Sequence, residues 1–180
     1  MRALRPETGA EPGAVLTLER IDTPLGQVLL VTDAAGAVRA LDFFDHEARM
    51  MRLLARHHGT ASLLEGRVAE AARSAVLAYF DGDMAALDGL KVRTGGTDFQ
   101  HTVWAALRTI PVGETRSYGQ LAAAIDRPRA VRAAGLANGQ NPVALIVPCH
   151  RVIGANGTLT GYAGGLERKR WLLAHEGAGQ

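Results

Sequence analysis

The sequence predicts a chain of two parts, an α/β amino-terminal half followed by a mainly helical carboxyl-terminal half. Short apolar runs separated by turn residues occur before residue 44, whereas apolar residues at helical spacing dominate afterwards. The charge also changes sign. Residues 1–90 hold nine Lys/Arg against thirteen Asp/Glu, a net −4, and residues 91–180 hold eleven against five, a net +6. A basic half attracts phosphate backbones, although an ordinary solvated basic face is the alternative.

Length and composition limit the class of protein. With 180 residues and 47% hydrophobic content, the chain can form one or two small globular domains. Residues 1–13 mix Arg, Glu, Pro and Gly without an apolar core, which predicts a flexible tail rather than a signal peptide. No apolar run approaches the roughly 20 residues that span a bilayer. A single cysteine excludes an internal disulfide and multi-cysteine zinc sites, and a free thiol suits a cytoplasmic location.

The amino-terminal half is predicted to be a meander followed by two helices. Strands are expected over residues 15–22, 27–32 and 37–43, because turn sequences at 23–26 and 33–36 separate them. Helical spacing then covers residues 46–58 and 68–80, and each segment is followed by glycine. His57 and His58 are interpreted as residues at a helix end that favour the helix dipole or solvent rather than as ligands. The chain becomes glycine-rich within 91–97, so we expect domains over 14–92 and 93–180.

The carboxyl-terminal half is predicted to contain three helices, of which the second and third are joined by a tight turn. Thr97 or Asp98 can cap a first helix that ends before Pro111. Ser117 can cap a second helix over 118–125, a turn covers 126–129, and a third helix over 130–138 ends at Gly139. A helix-turn-helix is a DNA-binding geometry, but plain antiparallel helix pairs have the same sequence pattern.

The most informative segment contains Cys149. It lies in PCHRV (148–152), after the apolar run that starts at Asn141 and before a glycine-rich stretch. Nearby His or Arg favours the thiolate, the reactive form of cysteine, whereas an isolated cysteine is more often a small buried hydrophobe. Side chains of adjacent residues on an extended chain point in opposite directions, so His150 can act on the sulfur only if the fold turns it back toward Cys149 or a water molecule bridges the two.

Seven blocks in the same order resemble the O6-alkylguanine-DNA alkyltransferases, or methylated-DNA–protein-cysteine methyltransferases, in their bacterial single-polypeptide form without a zinc domain. The blocks span residues 95–176 and are GGTDFQ (95–100), IPVG (110–113), SYGQLA (117–122), RAAG (132–135), NP (141–142), PCHRV (148–152), and GYAGGL (161–166) with WLLAHE (171–176). The resemblance implies a ribonuclease-H-like α/β domain over 14–92 and a mainly α winged helix-turn-helix domain over 93–180. Ala144 and Asn138 depart from the pattern of some relatives, so preference for alkyl size does not carry over.

The resemblance implies an activity. The alkyl group of O6-alkylguanine, and we expect also of O4-alkylthymine, passes irreversibly from double-stranded DNA to Cys149. Each monomer acts once, without a metal or cofactor. His150 takes the thiol proton through a water while Glu176 orients the imidazole, Tyr118 donates to the departing guanine, and Asn141 holds the turn before the cysteine.

The resemblance also implies how the lesion is reached. A helix of small residues enters the minor groove, and Arg132 takes the place of the flipped nucleotide. Close helix–helix packing with a solvated arginine is the alternative. The expected DNA contacts besides Arg132 are Ala133, Ala134, Gly135, Arg129, Ser117 and Arg151. The expected pocket residues are Tyr162, Ala163, Val152 and Asn138.

Two other functions remain open from the residues alone. A DNA-binding lesion sensor would keep an inert thiol, and a thiol hydrolase using Cys149 and His150 would turn over repeatedly without DNA. Alkylation of the sulfur distinguishes them.

Overall fold

The computed structural model describes residues 14–59 and 61–178, so the predicted tail over 1–13 lies outside the described residues. The amino-terminal half begins with three consecutive strands and continues with a helix, a strand and a helix, whereas helices predominate in the other half. The strands are β1 (Val15–Ile21), β2 (Val28–Asp33), β3 (Val38–Phe43), β4 (Ser62–Glu65), β5 (Arg116–Ser117) and β6 (Val152–Ile153). The helices are α1 (Glu47–His58), α2 (Glu70–Phe80), α3 (Asp98–Leu107), α4 (Tyr118–Ala124), α5 (Val131–Gly139) and α6 (Leu166–His175).

The main sheet has the order β3-β2-β1-β4. β1, β2 and β3 form the predicted antiparallel meander, and β4 adds to the free edge of β1 in parallel. The sequence analysis missed β4 because the strand has four largely exposed residues and no alternating apolar pattern. A crossover through α1 makes this parallel pairing possible.

The sheet separates two apolar clusters. Successive side chains of a strand point to opposite faces, and β2 is buried on both. Leu29 and Val31 pack in a small cluster with α1 residues such as Met50, whereas Val28 and Leu30 belong to a large cluster shared with α2 and the carboxyl-terminal half. The large cluster therefore joins the two halves through one continuous core.

The end of α1 differs from the sequence prediction. His58 was expected to favour the helix dipole or solvent; it is 6% exposed, and neither ring nitrogen has a hydrogen-bond partner among the described residues. Its ring therefore does not face solvent, because this side of the last turn of α1 is buried, whereas Arg56 in the same turn is exposed. Burial lowers the pKa of His58 to about 4.

The predicted helix starts in the carboxyl-terminal half are confirmed. Thr97 caps α3 and Ser117 caps α4, each in a capping box with the glutamine three residues later. The indole Nε1 of Trp104 on α3 donates to the carbonyl oxygen of Ala137 on α5 at 2.9 Å. This bond fixes the carboxyl-terminal end of α5 against α3.

The outer edge of β3 holds the segment that leads to the cysteine. Leu41 N donates to the Pro142 carbonyl at 3.0 Å, and Ala144 N donates to the Leu41 carbonyl at 2.9 Å. The linker adds to the same edge, since Val38 N donates to the Lys91 carbonyl at 2.8 Å. The amino-terminal sheet thus fixes the backbone of the apolar run before Cys149. In the part of the chain that the structure describes, no helix is long and apolar enough to cross a membrane.

Candidate active site

Cys149 begins a single 3₁₀ turn at the end of the apolar run. The residue is 5% exposed, and its Sγ lies 3.1 Å from the Asn141 Nδ2. The same amide nitrogen donates to the Val147 carbonyl at 2.7 Å, while the Asn141 Oδ1 accepts from Val143 N at 3.0 Å. Asn141 therefore holds both ends of the loop and places a donor on the sulfur.

The electrostatics keep the thiol protonated at rest. Burial raises the pKa of Cys149, and the hydrogen bond from Asn141 and the charges of Arg49 and Lys169 oppose this effect. A thiolate at this position consequently needs a base that removes the proton and positive charges that stabilise the anion.

His150 is fully buried and paired with Glu176. Its Nε2 lies 2.9 Å from the Glu176 Oε1. Burial lowers the pKa of His150, so the neutral ring predominates, with its proton on Nε2 facing the carboxylate. The lone pair is then on Nδ1, which is buried without a partner among the described residues. Among those residues, no direct hydrogen bond joins this ring to the sulfur of Cys149.

Glu176 is the centre of a buried network. Arg151 donates from Nε to Oε2 at 2.8 Å and from Nη2 to Oε1 at 2.9 Å, and the Tyr79 hydroxyl donates to Oε1 at 2.8 Å. Burial acts to raise the pKa of Glu176, but the hydrogen bonds from His150 and Arg151 outweigh it and hold the pKa well below the usual range. The carboxylate is therefore an anion that fixes the tautomer of His150.

The structure corrects the expectation for Arg151. It was expected to contact DNA, but its guanidinium is buried against Glu176, and its Nη1 donates to the Ile110 carbonyl at 2.6 Å. The prediction is wrong because the 3₁₀ turn directs the side chain inward, where it neutralises a buried carboxylate.

The loop over residues 154–165 forms a wall beside the cysteine. The Tyr118 hydroxyl lies 3.3 Å from the Thr160 carbonyl and 3.2 Å from the Gly161 carbonyl, as donor to both. Buried Lys169 donates from Nζ to the carbonyls of Val152 at 2.5 Å and Thr160 at 2.7 Å. Lys169 thus joins the strand after the 3₁₀ turn to the wall loop.

Orphaned polar atoms occur at the predicted pocket residues. The Tyr162 hydroxyl and the Asn138 Oδ1 are buried and have no hydrogen-bond partner among the described residues. Tyr162 also contacts His150 edge-on, with ring centroids 6.4 Å apart. Ala163 is half-buried and Val152 fully buried. Unpaired buried polar groups carry a free-energy cost that a bound polar molecule can remove.

The resting site contains no evident metal centre. Within residues 14–59 and 61–178, no group of three or more His, Cys, Asp and Glu side chains is arranged to hold an ion.

Comparison with known proteins shows the family of this chain. Residues 98–178 match the family model of the DNA-binding domain of 6-O-methylguanine DNA methyltransferase. A methylated-DNA–protein-cysteine methyltransferase of Salmonella typhimurium is 49% identical over 169 residues, covering 88% of this chain and 94% of the relative. The chain belongs to the methylated-DNA–protein-cysteine methyltransferase family.

Solved structures of family members have the same fold. The crystal structure of Mycobacterium tuberculosis OGT in complex with DNA is 41% identical, with a TM-score of 0.76 over 90% of this chain and 93% of that one. The O6-methylguanine-DNA methyltransferase of Pyrococcus kodakaraensis, at 24% identity, has a TM-score of 0.71 over 90% of this chain. The latter likeness concerns the fold alone.

The residues expected to contact DNA in this family member lie around α5 and the turn before it. Arg129, Arg132 and Ala133 are exposed, and Ser117 is half-buried as the cap of α4. Gly135 is half-buried, and a Cβ there would meet the Tyr118 ring at 3.4 Å.

Ala134 does not belong to that exposed face. It is 0% exposed and packs in the core, so the expectation that it contacts DNA is wrong. The helical period directs Ala134 toward the core and Arg132 toward solvent.

Four supporting residues were not found from the sequence. Tyr79 was interpreted as an apolar position of α2, and Lys169 lies in a run of charged residues that gave no sign of burial. Arg49 of α1 pairs with Asp42 at 2.5 Å and also donates to the Asn141 carbonyl at 3.0 Å. An aspartate within apolar β3 was the one usable signal, because a buried charge requires a partner.

Proposed function

We propose that this family member repairs DNA by a single irreversible transfer of the alkyl group of O6-alkylguanine, and of O4-alkylthymine, to its own Cys149. The observation that supports this most directly is the buried sulfur of Cys149, which accepts a hydrogen bond from Asn141. The next residue is His150, whose tautomer is fixed by Glu176. The rival functions remain outcomes of the test below.

Deprotonation of the thiol is the first step. His150 Nδ1 is the free base, and one water molecule between it and Cys149 would carry the proton to the ring. The resulting imidazolium is stabilised by the Glu176 carboxylate, since both side chains are 0% exposed. Asn141 then donates to a thiolate, and such charge-assisted hydrogen bonds are stronger than neutral ones.

Alkyl transfer follows by in-line displacement. The thiolate forms the new S–C bond as the C–O6 bond breaks, and the electron pair of that bond goes to the guanine. The guanine takes up one proton from solvent and becomes the normal base, while the imidazolium of His150 returns the thiol proton to solvent, so the protons balance. Tyr118 is the proposed donor to the departing base, because its hydroxyl lies at the wall loop and its pKa is raised by burial, which keeps the donor proton in place.

The product explains why one molecule acts once. An S-alkylcysteine is a thioether without a good leaving group, and nothing in the proposed chemistry removes the alkyl group. No cofactor is required, since the sulfur accepts the alkyl group directly.

Access to the lesion requires base flipping. The O6 atom lies within the stacked duplex, whereas the sulfur is buried, so the nucleotide must leave the stack at a cost of a few kcal/mol. We propose that α5 lies in the minor groove, that Arg132 fills the vacated position, and that Arg129 contacts a phosphate. The complex of the M. tuberculosis relative with DNA supports DNA binding by this family member.

The architecture is proposed to follow the family in detail. The four-stranded sheet with its helices supports a ribonuclease-H-like domain over 14–92, and the helix pair with β5 and β6 alongside supports a winged helix-turn-helix domain over 93–180. We propose that the protein works as a monomer. Asn138 and Tyr162 are the proposed contacts to the flipped base.

Intact-protein mass spectrometry tests the proposal. The protein is incubated with a duplex that holds one O6-methylguanine, and any adduct is located by peptide mapping. We expect one added methyl group on Cys149 and never more than one per molecule, and Cys149→Ser as the matched variant should bind the duplex without gaining mass. Unmodified wild-type protein that retains the lesion would support a sensor, and multiple turnover without an adduct would support a hydrolase.

A further inference from the structure

We infer that Leu136 is a specificity-determining residue that makes repair sensitive to the base pairs beside the lesion. The inference rests on the proposed function, because it assumes that α5 lies in the minor groove. Leu136 is 64% exposed, the most among the large hydrophobic residues that the structure describes as exposed.

The position of Leu136 on α5 places it beside Arg132. Residues four apart lie on the same face of a helix, and Gly139 continues that line three residues later. The opposite face is buried and consists of Ala134, Ala137 and Asn138. Leu136 is thus at the centre of the exposed face rather than at its edge.

The neighbours of Leu136 on α5 are small. Ala133, Gly135 and Gly139 leave the leucine side chain projecting above the helix surface. An α-helix rises about 1.5 Å per residue, so Leu136 lies roughly 6 Å along the axis from Arg132. Because base pairs are stacked about 3.4 Å apart, an α5 axis that follows the groove would place Leu136 within about two base-pair steps of the position that Arg132 fills.

The surrounding charge identifies the occupant of this face as a nucleic acid duplex. Arg127 and Arg129 lie exposed in the turn directly before α5, and Arg132 lies in its first turn. These three cations lie at the amino-terminal end of the face that carries the projecting leucine, where they can contact the phosphate chains that border a minor groove. A purely apolar protein partner would not need these charges.

The floor of the minor groove differs between base pairs in one group. A·T pairs present acceptors alone, and G·C pairs add the guanine N2 amino group as a donor. A leucine pressed against this amino group removes its water and supplies no acceptor, which is unfavourable. Leu136 should therefore favour A·T pairs over G·C pairs at the position that it covers.

Single-turnover transfer rates test this inference. Each duplex contains one O6-methylguanine, and the two base pairs next to it on one side or the other are either A·T or G·C. The transfer rate of wild type on these duplexes is compared with the rates of Leu136→Ala and Leu64→Ala. Leu64 is a suitable control because it is 57% exposed on β4. We expect wild type and Leu64→Ala to react about fivefold faster with A·T on one side, and Leu136→Ala to lose this ratio.

Two further measurements separate the possible failures. Leu136→Ala should react with free O6-methylguanine base as fast as wild type, which shows intact folding, and should keep the wild-type salt dependence of duplex binding because no cation is lost. The decisive quantity is the ratio of the transfer rates measured with A·T and with G·C neighbours. If this ratio persists in Leu136→Ala, or if wild type becomes methylated but shows no such ratio, the inference is overturned and the proposed function is not. Wild-type protein that never gains a methyl group overturns the proposed function and the inference with it.

Discussion

Replacement of Glu176 by Gln is the most direct test of the buried network. The carboxylate accepts hydrogen bonds from His150, Arg151 and Tyr79 at 2.8–2.9 Å, and its side chain is 0% exposed. Gln keeps the size of the side chain but exchanges one acceptor oxygen for a donor and removes the negative charge. The Arg151 guanidinium then remains buried without a counter-ion.

The magnitude follows from the burial of the pair. Removing one partner of a buried ion pair costs about 3–5 kcal/mol, and we expect roughly 3 kcal/mol because Gln retains part of the hydrogen bonding. For a chain of this size, this corresponds to a decrease in Tm of about 6–12 °C. His150 also loses the acceptor that fixes its tautomer, so alkyl transfer should slow by about 100-fold or more.

Urea denaturation and single-turnover transfer measure the two effects. Tyr79→Phe is the matched control, because it removes one neutral donor to the same carboxylate and should cost about 1.5 kcal/mol with little change in transfer rate. If Glu176→Gln unfolds at the wild-type urea concentration and transfers at the wild-type rate, the assigned roles of Glu176 are refuted.

Three other perturbations have defined outcomes. Arg132→Ala should slow transfer from duplex more than from free O6-methylguanine base, because only the duplex requires flipping; equal slowing of both substrates would remove its role in flipping. Below pH 6.5 the unfolded state takes up a proton that buried His58 refuses, so the contribution of His58 to the free energy of unfolding should be constant above pH 6.5 and fall by at most about 3 kcal/mol toward pH 4. Urea titration of wild type and His58→Leu across this range isolates it, because the leucine variant should lack this contribution. Lys169→Met removes the buried ammonium from the carbonyls of Val152 and Thr160 and should slow transfer from the free base about tenfold. Burial lowers the pKa of Lys169 to about 8, so the wild-type transfer rate should also fall above that pH. If Lys169→Met has the wild-type dependence of rate on pH, Lys169 does not support the site.

Local patterns in the sequence were sufficient for most elements of the fold. The meander was recognised from its turns, and α3 and α4 from Thr97 and Ser117, because capping involves residues three apart in the chain. Strand β4 was missed because its pairing with β1 is long-range and its residues are mostly exposed. His58 was misplaced for a related reason, since what covers a helix end comes from distant segments.

The candidate site shows the same division. The sequence identified Cys149, His150 and Glu176 through their resemblance to a family, but it could not show which groups contact them. Arg151 was assigned to DNA although it neutralises Glu176, because its side-chain direction depends on a 3₁₀ turn that the pattern did not reveal. Ala134 was likewise placed on the wrong face of α5, because a run of small residues has no apolar period to mark its buried side.

The sequence by itself determined the family and the basic character of the carboxyl-terminal half, and it located Cys149 as the candidate nucleophile, since these depend on residue identity and local spacing. The tertiary structure decided which charges are buried and which are available. It paired Arg151 with Glu176, placed Lys169 between two carbonyls, and left Arg132 and Leu136 exposed on one face of α5. The physical reason is that a side chain's pKa and accessibility depend on desolvation and on partners from distant segments, which only the folded chain brings together.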